Sequence, residues 1–214
     1  MSRVHHYPGR SVLVEFELAR CIHTGDCTRM LPSVFDTKRH GRWVQPDEAP
    51  KADVIRVCAA CPTGALRARD PQDGTLLHAV PTENTVQPTV NGPLYVTGNM
   101  VVNGHAEPAY RAAFCRCGAS GRMPYCDESH RQAKFSDPGT VSTPLPSPTT
   151  AHEPLDIQWS QGGPLIIRGP FTLLDSRGKQ MCTSAGATFC CCGRSRQKPY
   201  CDGSHRMAGG REHL

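Results

Sequence analysis

The feature that most constrains this chain is a motif that occurs twice, as CRCGASGRMPYCDESH from Cys115 to His130 and as CCCGRSRQKPYCDGSH from Cys190 to His205. Both copies read C-x-C-G-x-S-x-x-x-P-Y-C-D-x-S-H, and they lie 75 residues apart. Three cysteines and a histidine at fixed spacing are the soft donors with which a protein holds a thiophilic metal centre. Each copy is therefore predicted to bring four such donors together.

The composition favours small modules over one large core. Hydrophobic residues make up 38% of the 214 residues and aromatic residues 6%, whereas glycine and proline contribute 20 and 19 residues. Modules of this kind bury little apolar surface and usually depend on a metal or on disulfides for stability. The twelve cysteines are the residues available for either purpose.

The start of the chain favours metal ligation over disulfides. The segment MSRVHHYPGR is polar, and no apolar segment of a secretory signal follows it. Apolar runs such as Val12–Val14 are far too short to cross a bilayer. In a reducing compartment, clustered cysteines are typical metal ligands. We therefore expect a cytoplasmic protein without a membrane partner and, because the net charge is only +5 and the basic residues are scattered, without a nucleic-acid partner.

The first eighty residues predict a small mixed domain that follows a start without regular structure. Ser11–Leu18 alternates apolar and polar residues and predicts a half-buried strand. A turn-rich loop, Cys21–Cys27, comes next. A helix is predicted from about Pro50 to Ala60, with acidic residues near its start and a proline just past its end. Thr63–Ala68 and Leu76–Val80 are predicted to form a closing hairpin.

Four cysteines in this region form a second constellation: Cys21, Cys27, Cys58 and Cys61. A Cys-Pro pair after a helix, with a C-x5-C loop well upstream, resembles the ligand layout of bacterial single-cluster ferredoxins, although Thr24 stands where their middle cysteine lies. The phrases CIHTGDC, LPSVFD, GRWVQPDEA and CPTGAL together resemble the divergent single-cluster 4Fe–4S ferredoxin domain, over residues 11–80.

That resemblance implies Cys21, Cys27 and Cys61 as cluster ligands. The fourth position is open to Cys58, to His23, to an exogenous group or to no ligand at all. Three ligands alone favour a 3Fe–4S centre or a 4Fe–4S centre with a labile fourth iron. The structural alternatives are that Cys58, one helical turn before Cys61, packs in the core, and that His23 is solvated in a polar loop.

An internal repeat surrounds the duplicated motif. The segment GPLYVTGNMVVN from Gly92 matches GPLIIRGPFTLLD from Gly163, an offset of 71 residues against 75 for the motif itself. The simplest interpretation is a longer loop around Asp175–Ala187 in the second copy. The proline-rich, polar segments His78–Pro93 and Asp137–Pro154 are predicted to be linkers.

Within each motif the donors divide into two pairs. Cys115 and Cys117 are separated by one residue, so in extended chain both side chains project to the same side. Cys126 and His130 are four residues apart and face the same way on a helical turn. The second copy places Cys190, Cys192, Cys201 and His205 at the same positions. Two pairs suit a 2Fe–2S cluster, with one pair on each iron, and a tetrahedral Cys3His zinc site is the alternative.

The motif resembles the CDGSH iron–sulfur domain, over about residues 90–135 and 160–207. That resemblance implies one 2Fe–2S cluster in each copy, with the three cysteines and one histidine of that copy as ligands. It also implies an α+β chain: a small ferredoxin-like domain at residues 11–80, then β-rich CDGSH domains at 90–136 and 155–207, joined by a linker at 137–154. Because CDGSH domains resemble halves of a strand-swapped dimer, we expect the two copies to form an intramolecular pseudo-dimer.

Several positions near the ligands need their own interpretation. Glu128 replaces the glycine of the second copy, which costs stability if that position needs a positive φ. Cys191 lies between two ligands and is predicted to point away from them, and Cys182 is predicted to be a packed or surface thiol. Asp127 and Asp202 are either catalytic carboxylates or, more in keeping with their position, acceptors for backbone N–H groups at a helix start.

The sequence contains no nucleophile–base arrangement, phosphate loop or dinucleotide motif, so we expect no enzyme. An electron-transfer protein with a redox partner protein is the leading prediction. The alternative is cluster donation to an apo-acceptor protein, or redox and iron sensing, through labile His-ligated clusters. Because a metal binds neutral imidazole, we expect cluster loss to accelerate as pH falls. A zinc-bound interaction module is the least favoured prediction.

Overall fold

The chain folds into two units, Met1–Val80 and Pro81–Leu214. The computed structural model describes residues 3–141 and 154–208, so most of the predicted linker 137–154 lies outside the described residues. All twelve cysteines are described, and all are free thiols. None of the helices in the described ranges is both long and apolar enough to cross a membrane.

The first unit is built on a three-stranded antiparallel sheet. Its strands are β1 (Val4–Pro8), β2 (Leu13–Glu17) and β3 (Leu66–Arg69), in the order β1-β2-β3. The alternation in β2 buries Val14 and Phe16, which confirms the predicted strand. Leu18, however, is 53% exposed and begins a 3-10 turn, Leu18–Arg20, so the strand ends before it.

The prediction of an unstructured start is wrong, because β1 pairs with β2 along its whole length. The Tyr7 ring packs edge-on against Trp43, with ring centroids 6.1 Å apart. Phe16 packs edge-on against the same indole at 5.0 Å. A polar segment is thus held as an edge strand by its backbone pairing and one aromatic contact.

Two helices complete this unit, α1 (Asp26–Met30) and α2 (Lys51–Ala59). The second confirms the predicted helix and buries Val54, Val57 and Cys58 in the core. The predicted closing hairpin is only partly present. Its first strand is β3, but its second is reduced to an isolated bridge between Arg69 and Leu76, with the Leu77 N–H donating to the Ala68 carbonyl at 2.8 Å.

The second unit contains an eight-stranded sheet. Its strands are β4 (Thr85–Pro88), β5 (Leu94–Thr97), β6 (Met100–Val102), β7 (His105–Ala106), β8 (Arg111–Phe114), β9 (Leu155–Trp159), β10 (Leu165–Leu174) and β11 (Gln180–Phe189). The order is β7-β6-β9-β10-β4-β5-β8, and β11 pairs with β10. A short helix, α3 (Ser129–Gln132), and a 3-10 helix, Ser204–Ala208, follow the two motif loops.

The segment His78–Pro93, predicted as a linker, contains a strand at the centre of the fold. In β4, Val86 is completely buried, and the strand pairs on both sides. The strand was not predicted because the segment is polar and rich in proline, and only alternate residues of a four-residue strand face the core.

The prediction of a longer loop around Asp175–Ala187 is also wrong. The chain turns tightly, with the Asp175 N–H donating to the Lys179 carbonyl at 2.9 Å, and continues as the ten-residue strand β11. The β10–β11 pairing shifts register twice, between Arg168 and Phe171 and between Leu173 and Leu174. Bulges absorb extra residues in an antiparallel pair, so a longer, bulged hairpin replaces the predicted loop.

The two sequence repeats share one sheet. The first strand of each repeat pairs antiparallel within its own copy, β4 with β5 and β9 with β10. The same strands pair in parallel with the other copy, β4 with β10 and β9 with β6. Val86 is the partner of Leu173, and Ile157 is the partner of Val102. One core cluster contains side chains from both copies.

Candidate metal centres

The C-x-C segment of each motif follows directly from a strand. In the first copy it continues β8, and the Sγ atoms of Cys115 and Cys117 lie 3.5 Å apart. In the second it continues β11, and the Sγ atoms of Cys190 and Cys192 lie 3.7 Å apart. The extended backbone therefore places both thiols of each pair on one side, as the spacing predicts.

The Cys/His pair of each motif lies where the chain enters its short helix. Cys126 Sγ is 3.4 Å from His130 Nδ1, and Cys201 Sγ is 3.2 Å from His205 Nδ1. Backbone hydrogen bonds fasten the loop to the strand that carries the C-x-C segment. In the first copy the Cys115 N–H donates to the Pro124 carbonyl and the Cys126 N–H to the Ala113 carbonyl, both at 2.8 Å. The second copy repeats these bonds at 2.9 Å.

Two polar side chains brace each loop. The Ser120 hydroxyl donates to the Tyr125 carbonyl at 2.6 Å, and Ser195 donates to Tyr200 at 2.7 Å. Sequence reasoning assigned these serines no role. Their recurrence in both copies of the motif was the available signal, since the same loop is built twice.

The aspartate after the third ligand cysteine is the other brace. Asp127 accepts hydrogen bonds from the Gly121 N–H at 2.8 Å and from the Ser129 N–H at 3.1 Å. These bonds outweigh the opposing effect of desolvation and lower the pKa of Asp127 to about 2. In the second copy, Asp202 accepts from the Arg196 and Ser204 N–H groups. Asp127 lies one residue before the N-cap position of α3, so it joins the motif loop to the helix start.

The electrostatics of the thiols fit a site that a cation completes. In the first copy, the hydrogen bond from Cys117 lowers the pKa of Cys115 to about 6, and the same contact raises the pKa of Cys117. Burial raises the pKa of Cys126 to about 11. Burial lowers the pKa of His130, which favours the neutral imidazole that a metal binds. The raised pKa values keep the Cys117 and Cys126 thiols protonated, and metal binding would release those protons.

Backbone N–H groups point at the candidate ligand sulfurs. The Ala119 N–H lies 3.4 Å from Cys117 Sγ, the Glu128 N–H 3.5 Å from Cys126 Sγ, and the Gly203 N–H 3.5 Å from Cys201 Sγ. Hydrogen bonds to sulfur help to set the stability and potential of iron–sulfur clusters. The donors remain in pairs: in the residues that the structure describes, no three His, Cys, Asp or Glu side chains are grouped to hold a single metal ion.

The two candidate centres meet along a seam formed by the two C-x-C-G segments. Cys117 and Cys192 are antiparallel bridge partners. Gly118 (φ +76°) and Gly193 (φ +74°) follow them. A Cβ atom on Gly118 would lie 3.0 Å from the Cys192 Cα, and one on Gly193 would lie 2.8 Å from the Cys117 carbonyl oxygen. Glycine is therefore required both for its conformation and for the close approach of the two copies.

The remaining cysteines of the second unit are not among the paired donors. Cys191 is 3% exposed, belongs to the hydrophobic core, and has a pKa raised by burial. Cys182 is half-buried on β11 and packs against the same core. Both therefore lie where the sequence predicts packed, non-ligating thiols.

Glu128 adopts a left-handed conformation, with a φ of +72°. The equivalent residue of the second copy, Gly203, has a φ of +87°. The condition that the sequence left open is therefore met, and the first copy holds a glutamate in a conformation that disfavours a side chain.

The first unit contains a cavity of about 480 Å³. Cys21, Cys27, Cys61 and His23 line it, together with apolar side chains that include Phe16 and Trp43. Cys21 Sγ lies 3.7 Å from His23 Nδ1. Burial raises the pKa of Cys27 to about 11, and Cys61 and Cys21 add to this effect. Three thiols around an apolar-walled cavity are a suitable donor set for a thiolate-bound cluster.

Cys58 is placed differently from the other three cysteines. It is fully buried on α2, belongs to the hydrophobic core, and is not among the residues that line the cavity. The structure therefore brings Cys21, Cys27 and Cys61 together with His23 and leaves Cys58 in the core. Its role as a fourth ligand stays a prediction that this geometry does not favour.

Comparisons with known proteins agree with both kinds of site. A family model described as a divergent 4Fe-4S mono-cluster matches residues 7–71. A second, described as the iron-binding zinc finger of CDGSH type, matches residues 91–131 and 162–206. The uncharacterized protein YjdI of Escherichia coli K12, and the protein of the same name from Escherichia coli O157:H7, are each 41% identical over 63 residues, which is 29% of this chain and 82% of theirs. No solved structure matches the chain significantly.

The paired donors and these matches define an iron–sulfur-binding protein with sites in both units. The chain carries a divergent 4Fe-4S mono-cluster domain over residues 7–71 and, after it, two segments of the CDGSH iron-binding type.

Proposed function

We propose that this protein is an electron carrier that holds two 2Fe–2S clusters in its CDGSH domains and one 4Fe–4S or 3Fe–4S cluster in its first unit. The observation that carries the proposal is the seam, where Cys117 and Cys192 bring the two CDGSH sites to adjacent backbone positions. Each bound cluster supplies a one-electron couple, and sites that share a backbone contact are placed to exchange electrons.

The proposed ligands follow from the pairing of the donors. In the first CDGSH site they are Cys115, Cys117, Cys126 and His130, and in the second Cys190, Cys192, Cys201 and His205. The Cys/Cys pair would hold one iron of a 2Fe–2S cluster and the Cys/His pair the other. A mononuclear zinc site requires all four donors at 2.0–2.3 Å from one point. The pairing of the Cys115 and Cys117 thiols, and of Cys126 with His130, supports the cluster.

The proposal includes an intramolecular pseudo-dimer. The support is the reciprocal pairing, in which β4 and β9 each add a parallel strand to the other copy at equivalent registers. This arrangement makes the two copies mutually dependent, since each completes the sheet of the other.

In the first unit we propose Cys21, Cys27 and Cys61 as the ligands of a 4Fe–4S or 3Fe–4S cluster. His23 is the side chain at the cavity from which a fourth ligand would come, since its Nδ1 lies near Cys21 Sγ. We propose a carrier in the cytoplasm rather than an enzyme, acting with a redox partner protein.

The composition of the centres is tested by anaerobic purification with iron and acid-labile sulfide counts and electron paramagnetic resonance. About eight irons per chain support one 4Fe–4S and two 2Fe–2S clusters, and about seven support a 3Fe–4S centre instead. A colourless protein with bound zinc and no labile sulfide would overturn the proposal.

The second candidate function is cluster donation, or redox and iron sensing. The observation in its favour is that His130 and His205 are only half-buried, so solvent reaches the histidine side of each site. The two functions are separated by mixing loaded protein with an apo-ferredoxin. Reduction and re-oxidation without loss of iron supports the carrier, whereas stoichiometric transfer of iron and sulfide to the acceptor supports the donor.

A further inference from the structure

The two C-x-C segments differ at their middle residue, and that residue is a buried cation in the first copy. Arg116 is 3% exposed, whereas the equivalent position of the second copy is the neutral Cys191. Placing an arginine in a protein interior is costly unless hydrogen bonds and an opposite charge compensate it. A buried cation between two candidate cluster ligands therefore needs a physical explanation.

The structure supplies that compensation from a single carboxylate and two carbonyls. Arg116 Nη1 donates to Asp137 Oδ1 at 2.7 Å, and both side chains are less than one-tenth exposed. Its Nε donates to the Gly92 carbonyl at 2.8 Å, and its Nη2 donates to the Thr89 carbonyl. The guanidinium also lies over the Phe135 ring, 5.4 Å from the centroid.

The backbone of Arg116 lies next to both candidate CDGSH centres. Its backbone joins Cys115 to Cys117, and Cys117 bridges to Cys192 across the seam. Burial lowers the pKa of Arg116, while Asp137 and the thiols of Cys190 and Cys115 raise it. A guanidinium stays protonated in such surroundings, so its charge is permanent. Cys115 and Cys190 begin the first and second motifs, so both candidate sites lie next to the segment that carries the charge.

We infer that Arg116 raises the reduction potentials of the CDGSH clusters, and that Asp137 offsets part of that effect. The inference rests on the proposed 2Fe–2S clusters. One-electron reduction, by a chemical donor such as dithionite, adds one negative charge to a cluster. A nearby buried cation stabilises that added charge, and a nearby anion opposes it. Charge and burial are among the factors that set the potentials of iron–sulfur centres.

A purely structural role makes a different prediction. Arg116 ties the C-x-C segment to the Thr89–Gly92 turn, so its replacement would destabilise the fold whatever its electrostatic effect. Asp137→Asn keeps the Oδ1 acceptor for Arg116 and removes only the negative charge. If the charges act on the clusters, substitutions of Arg116 and of Asp137 change the reduction potentials in opposite directions. If the role is only structural, both substitutions lower the stability and leave the potentials unchanged.

The test is a spectroelectrochemical titration of the full-length, cluster-loaded protein followed by electron paramagnetic resonance, with thermal unfolding in parallel. Arg116→Gln is expected to lower the CDGSH midpoints, with about a tenfold lower ratio of reduced to oxidised cluster at a fixed poise, equivalent to 59 mV for a one-electron couple. Asp137→Asn is expected to raise them. Arg116→Lys, which keeps the charge, is expected to stay near the unsubstituted midpoints even if stability falls.

Arg168→Gln is the matched control. It removes a cation from the same unit whose side chain is 63% exposed, and solvent screening is expected to leave the midpoints unchanged. If Arg116→Gln does not fold, Asp137→Asn and the double variant Arg116→Gln/Asp137→Asn carry the test. The double variant is expected to have midpoints below those of Asp137→Asn.

The outcomes separate this inference from the proposed function. If the unsubstituted protein contains no 2Fe–2S clusters, the proposed function fails first. If the clusters are present and Arg116→Gln and Asp137→Asn leave the midpoints unchanged, or shift them in the same direction, the inference about Arg116 is overturned and the proposed function stands.

Discussion

Glu128 illustrates how one residue can be understood from its counterpart in the other copy. Both Glu128 and Gly203 have a positive φ, which costs a non-glycine residue about 1–2 kcal/mol. The 3.0 Å ion pair between Glu128 and Arg131 stabilises the protein little, because the arginine side chain is 64% exposed. The first copy therefore carries a conformational strain that the second copy lacks.

Glu128→Gly is expected to stabilise the protein by roughly 0.5–1 kcal/mol in denaturant unfolding, because it removes that strain. At the equivalent position of the second copy, Gly203→Ala is expected to destabilise the protein by about 1 kcal/mol. No atom lies within 4 Å of a Cβ built at Gly203, so the loss would come from the backbone conformation alone. Equal stabilities of the three proteins would contradict this account.

The histidine ligands proposed for the CDGSH sites lead to a prediction about acid. Protons compete with iron for an imidazole whose free pKa is about 6.5, so cluster loss is expected to accelerate as pH falls through that range. His205→Cys is expected to slow the loss of the second CDGSH cluster near pH 5.5 several-fold, so that the decay of visible absorbance has a slow phase, while the first cluster, held by His130, is lost at the unsubstituted rate. His105→Ala, at an exposed site on β7, is the control and should lose its clusters like the unsubstituted protein. Equal loss in His205→Cys would refute the idea.

At the residue scale, the candidate ligands could be predicted from the sequence, but the residues that surround them could not. Soft donors at repeated spacing identify Cys115, Cys117, Cys126 and His130 because local backbone geometry alone pairs them. Nothing local indicates that Arg116 is buried, since its partner Asp137 is 21 residues away and its carbonyl acceptors are further. Burial of a charge depends on which segments the fold brings around it.

At the scale of the elements, β4 and β9 decide how the two repeats are joined. Each pairs antiparallel within its own copy and parallel with the other. Val86 on β4 is fully buried in a core that contains side chains from both copies. A short strand in a segment of linker-like composition therefore holds a central position.

Val86→Asp is expected to destabilise the second unit by roughly 4 kcal/mol or more, because it buries an unpaired carboxylate in that shared core. Both CDGSH sites should lose their clusters together, as followed by visible absorbance during unfolding. Val90→Asp, four residues on and at a side chain that is 61% exposed, is expected to change stability by less than about 0.5 kcal/mol. Loss of the first CDGSH cluster alone would contradict the shared sheet.

The strand prediction succeeded in β2, where alternate side chains are buried, and no strand was predicted for β1 or β11. The alternation in β2 and the apolar periodicity of α2 are local signals that tertiary packing reinforces. The segments of β1 and β11 are rich in polar and small residues, and they became strands because a neighbouring strand offered pairing along its edge. Pairing partners distant in sequence are not visible in a local pattern.

At the scale of the whole molecule, the two units have separate cores and separate candidate centres. Cys61→Ser is therefore expected to remove about four irons, if the first unit holds a 4Fe–4S cluster, and to leave the CDGSH signals in electron paramagnetic resonance unchanged. Cys126→Ser should have the converse effect and spare the cluster of the first unit.

Cys58→Ala tests the placement of the fourth cysteine. Because Cys58 packs in the core, the substitution is expected to cost roughly 1–2 kcal/mol of stability and to leave the iron count unchanged. An iron count that falls as it does in Cys61→Ser would instead identify Cys58 as a ligand.

The sequence by itself determined the chemistry of this protein. The duplicated C-x-C-G-x-S-x-x-x-P-Y-C-D-x-S-H motif specifies soft donors in two pairs, because the periods of extended and helical backbone bring residues two and four apart to the same side. Only the tertiary structure decided that the two copies share a sheet, that their C-x-C-G segments meet at Cys117 and Cys192, and that Arg116 lies buried beside them. Those features depend on contacts between segments far apart in the chain, and such contacts exist only once the whole core is assembled.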